Sequence, residues 1–338
     1  MPKKIVVCCD GTWSTPDQKA PTNVTRMAKA VLPTDAAGQE QRMFYHRGVG
    51  TNGWDRFLGG VFGYGLSQCV RDTYRYLVQN FTPGDELYFF GFSRGAYTAR
   101  STVGFIRNCG ILRPEFADRV DEAYALYRDR RDQTHPTQAQ ATRFRATHSH
   151  ETKIRFIGVW DTVGALGIPL RGIGLVNLFN RRFRFHDTAL SRSVESAFQA
   201  LAIDERRGPF RPAVWRKHPL ADGQRVEQMW FAGVHSDVGG GYPERQLAAI
   251  TMAWMVERAR EAGLALDPQA DEADPFGELH DSMTFPYGLL RPYVRRLDNA
   301  DPLQCLASTA FKRHEEVSGY SPGNLVEYLR ADGAVKNV

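Results

Sequence analysis

Two rhythms of apolar residues alternate along the first half of the chain. Short, nearly unbroken apolar runs, KIVVCC (4–9), RMFYHRG (42–48) and ELYFFGF (86–92), have the length and character of strands buried on both faces. Between them lie longer stretches with apolar residues at helical spacing: NVTRMAKAVL (23–32), LSQCVRDTYRYLVQNF (66–81) and GAYTARSTVGFIRNCG (95–110), the last ending at the C-capping Gly110. Strands alternating with helices in this way predict a mainly parallel sheet with helices on both faces. Two more strand-like runs follow, KIRFIGVWD ending at Asp161 and VEQMWFAGVHSD running into His235.

Other stretches fit this rhythm less well. EFADRVDEAYALYRDRRDQ is polar with Phe116, Val120, Ala123 and Tyr127 at helical spacing, which marks 111–150 as a helical insertion. TVGALGIPLRGIGLVNLFN carries one charge, Arg171, and is rich in glycine, so 162–225 is expected to form a cap over the sheet edge that covers the substrate. RQLAAITMAWMVERAREAGL has a core-facing stripe through Ala248, Met252, Met255, Ala259 and Ala262. Beyond Pro268 prolines recur without a clear period, and a loop-rich C-terminal region is expected. With no internal repeat or linker, 1–338 reads as a single domain.

Composition keeps that picture and narrows the classes of function. The chain has 338 residues, 42% hydrophobic and 24% charged, ordinary for a globular protein. A net charge of +5 spread along the sequence allows transient contact with an anionic membrane surface but gives no basic tract for nucleic acid. Five cysteines, Cys8, Cys9, Cys69, Cys109 and Cys305, form no C-x-x-C pair and suit a reducing compartment. MPKKIVVCCDG has too short an apolar run for a signal peptide, and no run reaches a membrane span, so the chain is expected to be cytoplasmic as synthesised, any export using another route.

The chemistry concentrates where predicted strands end. Gly91-Phe92-Ser93-Arg94-Gly95 is a G-x-S-x-G pattern between a strand and a helix, the setting of a nucleophile elbow. A serine hydroxyl needs a base to take its proton, and the base needs an acid to orient it. Ser93, Asp161 and His235 stand in the order Ser, Asp, His that an α/β-hydrolase uses. Asp204 rivals Asp161 as the acid, and His280 and His314 rival His235 as the base. Arg94, through its backbone N–H, is one expected oxyanion donor, and Gly11 or Thr12 in Asp10-Gly11-Thr12-Trp13 a second. A haloacid-dehalogenase phosphatase needs D-x-D-G-T, but Cys8 stands at the nucleophile's place. Trp13, Leu166 and Leu170 are expected to line the substrate side, while Arg181, Arg182 and Arg184 could meet phosphate or be surface charge. No ligand spacing for zinc or an EF-hand is present, and neither metal nor cofactor is expected.

The segments IVVCCDGTW, TNVTRMAKAV, GVGT, GFSRGAYTAR, WDTVGALG, AIDERR and WFAGVHSDVGGGY together resemble the α/β-hydrolase domain family that includes the catalytic domains of type VI secretion phospholipase effectors. The resemblance runs from about residue 3 to about residue 330 and implies an α/β-hydrolase fold with a Ser93-Asp161-His235 triad. It also implies a lipid ester as substrate and type VI export. The residues by themselves indicate a serine esterase acting on a lipid or small ester. A silent hydrolase fold used for binding, and a hydrolase of another acyl bond, share the same fold and triad.

Overall fold

Strand β3 (Glu86–Phe92) sends Leu87 and Phe89 to one side and Tyr88, Phe90 and Phe92 to the other, and all five are buried. Burying each such phenylalanine contributes about 1.5–3 kcal/mol, which explains why this strand lies inside the sheet. The computed structural model describes residues 2–11, 20–48, 59–129, 131–164, 190–216, 219–267, 272–285 and 287–338, with only the backbone for 59–64. Among these, eight strands form one sheet in the order β2 (Gln41–His46), β1 (Lys4–Cys9), β3, β6 (Ile154–Trp160), β7 (Val194–Ala202), β8 (Arg225–Phe231), β9 (Gln304–Ala307), β10 (Val335–Lys336). Every pairing in it is parallel.

Helices cover both faces, as the alternation predicts. On one face α2 (Gly59–Asn80), α3 (Arg94–Cys109), α4 (Val120–Arg128) and α5 (Ala139–His148) bring Tyr74, Leu77, Val103, Ala123 and Phe144 against Ile5, Val7, Leu87 and Phe89. On the other, α1 (Asn23–Ala30), α7 (Gln246–Glu261), α8 (Ser308–Glu316) and α9 (Gly323–Arg330) set Met27, Ile250, Met255, Ala310 and Tyr328 over Val6, Phe90, Phe156 and Trp230. The inserted helices α4 and α5 lie between β4 (Ile111–Leu112) and β5 (Ser149–His150), which pair antiparallel and close the insertion at its base. Strands β2 and β3 flank β1 on opposite sides, so the chain reverses direction across the sheet there. The crevice beyond the carboxyl ends of β1 and β3 is the place such a sheet offers a ligand.

Three features depart from the sequence reading. The segment 162–225, expected as a cap, contains strand β7, which lies inside the sheet between β6 and β8, while 165–189 lie outside the described residues; Gln199 interrupts the apolar pattern of β7 and is fully buried, accepting from Thr162 Oγ1 at 2.5 Å and donating to Gln228 Oε1 at 3.1 Å. β8 stops at Phe231 rather than running into His235, which instead opens the short helix α6 (His235–Gly239). The turn between them needs Gly233, at φ +112°, where a Cβ would come within 2.4 Å of Asp237 Cβ. Finally, the proline-rich C-terminal region supplies β9, α8, α9 and β10, strands of four and two residues that are too short to show a period. No helix among the described residues is long and apolar enough to cross a membrane.

Candidate active site

The turn from β3 into α3 is a sharp one. Ser93 stands at φ 58° and ψ −120°, a region that disfavours every residue but glycine and costs about 1–3 kcal/mol. It is held there by its own N–H bonding Trp160 O at 3.1 Å and by Tyr97 N–H returning to Ser93 O at 3.2 Å. The flanking glycines have steric reasons. A Cβ on Gly91 would lie 2.6 Å from Ala96 Cα, and one on Gly95 would lie 2.0 Å from Cys9 O, so strand and helix could not pass this closely with side chains at either place. Arg94 is the first residue of α3, where helix geometry points the first N–H groups out of the end, along the axis.

Asp161 follows β6, the neighbour of β3, and is also at positive φ, 38°. Among the described residues only Ser93, Asp161 and Asp332 of the non-glycine residues are so strained, and two of these three are at this site. Asp161 is fully buried, and its Oδ2 lies 2.5 Å from His235 Nδ1. Burial alone would raise this carboxyl, but Arg295 and His235 outweigh it and hold it well below the usual carboxylate range. The imidazole is itself buried, with Phe92 at 4.5 Å between ring centroids on one side and Phe210 edge-on at 4.9 Å on another. Burial lowers its pKa from the ordinary histidine value, against the opposing pull of Asp161. With Nδ1 committed to the carboxylate, Nε2 is the nitrogen left for a proton transfer.

Ser93 stands beside this pair. Its predecessor Phe92 packs on the imidazole, and its N–H bonds the residue that precedes Asp161. Among the described residues no hydrogen bond joins Ser93 Oγ to His235.

The residues 3–258 match the model of a family described as T6SS, phospholipase effector Tle1-like, catalytic domain. The chain belongs to this family. It is also similar to an uncharacterised protein of Saccharomyces cerevisiae, 30% identical over 239 residues, covering 64% of this chain and 33% of the yeast protein. Among solved structures, an uncharacterised protein from Pseudomonas aeruginosa is 19% identical, with 78% of this chain and 46% of that one covered and a TM-score of 0.48. A Tle1 effector bound to the VgrG spike of the type VI secretion system is 19% identical, with 72% and 52% covered and a TM-score of 0.40. This chain therefore spans about a third of the yeast relative and about half of those two structures.

The family's motifs acquire physical roles around the pair. Asp10, after β1, is buried; its Oδ2 accepts from Thr22 Oγ1 at 2.7 Å, Thr25 Oγ1 at 2.8 Å and the Tyr45 hydroxyl at 2.5 Å. Thr22 also caps α1, and the next residue, Asn23, donates to Val238 O at 3.1 Å and Ala248 O at 2.9 Å. The TNVT stretch thus ties the loop after β1 to the helix that begins with His235. One expectation changes: the Gly11 N–H donates to Asp10 Oδ1 at 2.6 Å, so it is turned into its own loop rather than offered as an oxyanion donor. Thr12, Trp13, Leu166, Leu170, Arg181, Arg182 and Arg184 lie outside the described residues.

The rival residues are engaged elsewhere. Asp204 accepts from the Gly233 N–H at 2.7 Å and the Tyr320 hydroxyl at 2.9 Å, not from His235. His280 Nδ1 lies 2.6 Å from Asp237 Oδ1, and His314 Nδ1 lies 2.8 Å from Tyr320 O. Burial pushes Asp204 up to about 6, against the pull of its two hydrogen bonds. Because that pKa is raised above the unfolded value near ~4, the associated stability is full below pH ~4 and is lost as pH rises through 6. Asp204→Asn is therefore expected to flatten the fall in melting temperature between pH 4 and 7, as a thermal-denaturation series would read out.

Two supporting residues were not among the site candidates read from the sequence, although one lies in a segment that carries the family resemblance. Glu205, buried within AIDERR, accepts from the His235 N–H at 3.2 Å and Ser282 Oγ at 3.0 Å, and is gripped by Arg207 at 2.9 and 2.8 Å. Burial would raise its carboxyl, but Arg207 holds it below the usual range. Arg295, in the proline-containing stretch LLRPYVRRLD, is 1% exposed and bonds both oxygens of Asp161. Among the described residues no group of three or more His, Cys, Asp and Glu is arranged to hold a metal ion.

Proposed function

We propose that this chain is a serine hydrolase that cleaves acyl esters, with phospholipid as the substrate class, through Ser93, His235 and Asp161. The observation that carries this reading is the buried Asp161–His235 pair at 2.5 Å beside a strained serine at a strand-to-helix turn. Membership of a family of phospholipase-effector catalytic domains supports the choice of lipid ester.

Ser93 Oγ attacks the ester carbonyl while His235 Nε2 takes its proton, and the negative charge developing on the carbonyl oxygen meets the N–H of Arg94 at the start of α3. The tetrahedral intermediate collapses as His235 gives that proton to the leaving alcohol, forming an acyl-serine. Water, deprotonated by the same nitrogen, then releases the fatty acid and restores Ser93. Asp161 fixes the imidazole tautomer and stabilises its cation without itself taking the proton. Because burial lowers the His235 pKa, the base stays neutral to lower pH than an exposed histidine, and the acid limb of kcat/KM is expected below the ordinary ~6.5.

Release of fatty acid from mixed phosphatidylethanolamine and phosphatidylglycerol vesicles by wild type but not by Ser93→Ala tests the reading. Hydrolysis of short soluble esters alone would reduce it to an esterase; hydrolysis by Ser93→Ala would remove the assigned nucleophile. The same reading extends to export by a type VI route, supported by membership of a family described as type VI secretion phospholipase effectors; retention of this chain on an immobilised spike protein from its own genome tests it.

A further inference from the structure

We propose that Arg295 is a positioning residue of the triad, which fixes the plane of the Asp161 carboxylate and lowers the basicity of the Asp161–His235 pair. This rests on the triad reading above. The guanidinium bonds Asp161 in fork-to-fork fashion, Nη1 2.6 Å from Oδ1 and Nη2 2.9 Å from Oδ2. The same two nitrogens donate to Ala202 O at 2.9 Å, at the end of β7, and to Phe210 O at 2.6 Å, in the turn that packs on the imidazole. Asp161 Oδ1 takes a second donor, the Ala202 N–H at 3.2 Å, while Oδ2 is shared between Arg295 and His235. The carboxylate cannot rotate away from His235 without breaking bonds at both oxygens. Arg295 lies beyond residues 3–258, so the site draws a part from chain outside the matched catalytic domain.

The charge has a second consequence. The groups that face His235 are Asp161 through Nδ1, Glu205 through the backbone N–H, Arg207 across Glu205, and the rings of Phe92 and Phe210. Arg295 acts on the imidazole by offsetting the Asp161 charge. Without it the imidazolium is better stabilised, so the base is protonated over a wider range and activity is lost at higher pH.

The test measures kcat/KM against pH on a short soluble ester for Arg295→Met and Arg295→Lys, each alone and combined with Asp161→Asn. Arg295→Met is expected to lower the plateau roughly a hundredfold, as removal of a group orienting a reactive one does, and to move the acid limb up by about one pH unit. Arg295→Lys keeps the charge and is expected to restore the limb but only part of the rate, because an ammonium cannot bridge two oxygens in one plane. In the Asp161→Asn background, Arg295→Met should lower activity by less than about threefold, since its route of action is gone. A wild-type limb in Arg295→Met, or full additivity with Asp161→Asn, would overturn the proposal and leave Arg295 a structural ion pair. Should Arg295→Met fail to fold, Arg295→Lys and the charge-balanced double variant still decide it. Full activity in Ser93→Ala is a different failure, that of the triad reading itself.

Discussion

Asp161→Asn is expected to lower kcat by about ten-thousand-fold with little change in KM. The size follows from what an amide must do in this pocket. Arg295 donates to both oxygen positions, but only Oδ1 also takes the Ala202 N–H, so the asparagine keeps its oxygen there and turns its NH2 toward His235. An NH2 facing Nδ1 selects the tautomer with the proton on Nε2, where a base is needed, and the imidazole can no longer accept the Ser93 proton. The buried guanidinium also loses its counter-charge, so stability is expected to fall by about 3–5 kcal/mol. Steady-state kinetics and urea denaturation on the same preparation separate the two effects. A variant within tenfold of wild-type kcat would rule out Asp161 as the acid.

Gly95→Ala is expected to destabilise the fold by at least about 3 kcal/mol, more than overpacking commonly does, because its Cβ would meet backbone and not a movable side chain. The added carbon would stand 2.0 Å from Cys9 O and 2.5 Å from Asp10 O, so β1 or α3 must shift as a body, and with it the elbow. Gly208→Ala, at a glycine with no atom within 4 Å of the added carbon, serves as the control, with a change within about 0.5 kcal/mol. Equal urea midpoints for the two variants would show that β1 and α3 do not approach as described.

The difference between these glycines shows what the sequence made readable. The elbow was legible because Gly91 and Gly95 are required by close backbone approach and because the apolar run before them has a strand's length. Strands β1, β3 and β6 were legible for the same reason: both faces are buried, so all but one position in each, Lys4, Glu86 and Arg155, lack a charge. β7 was not, since the sheet accommodates Gln199 by pairing it with Gln228 and Thr162, a partnership that is invisible along a single segment. The rivalry between Asp161 and Asp204 could not be resolved from spacing, because both follow strands and only the third dimension places one against His235. Arg295 lay furthest from reach: the feature that makes it part of the site is burial, and an arginine beside Arg296 in a proline-containing stretch carries no pattern for that.

The proposed chemistry stands on Ser93 being an activated nucleophile. Its most direct test is the labelling of folded protein with a fluorophosphonate probe, with the modified residue located by peptide mass. A single adduct on Ser93 is expected, lost in Ser93→Ala and slowed at least about a thousandfold in His235→Ala. No adduct on folded wild-type protein, or one that forms as fast without His235, would contradict it.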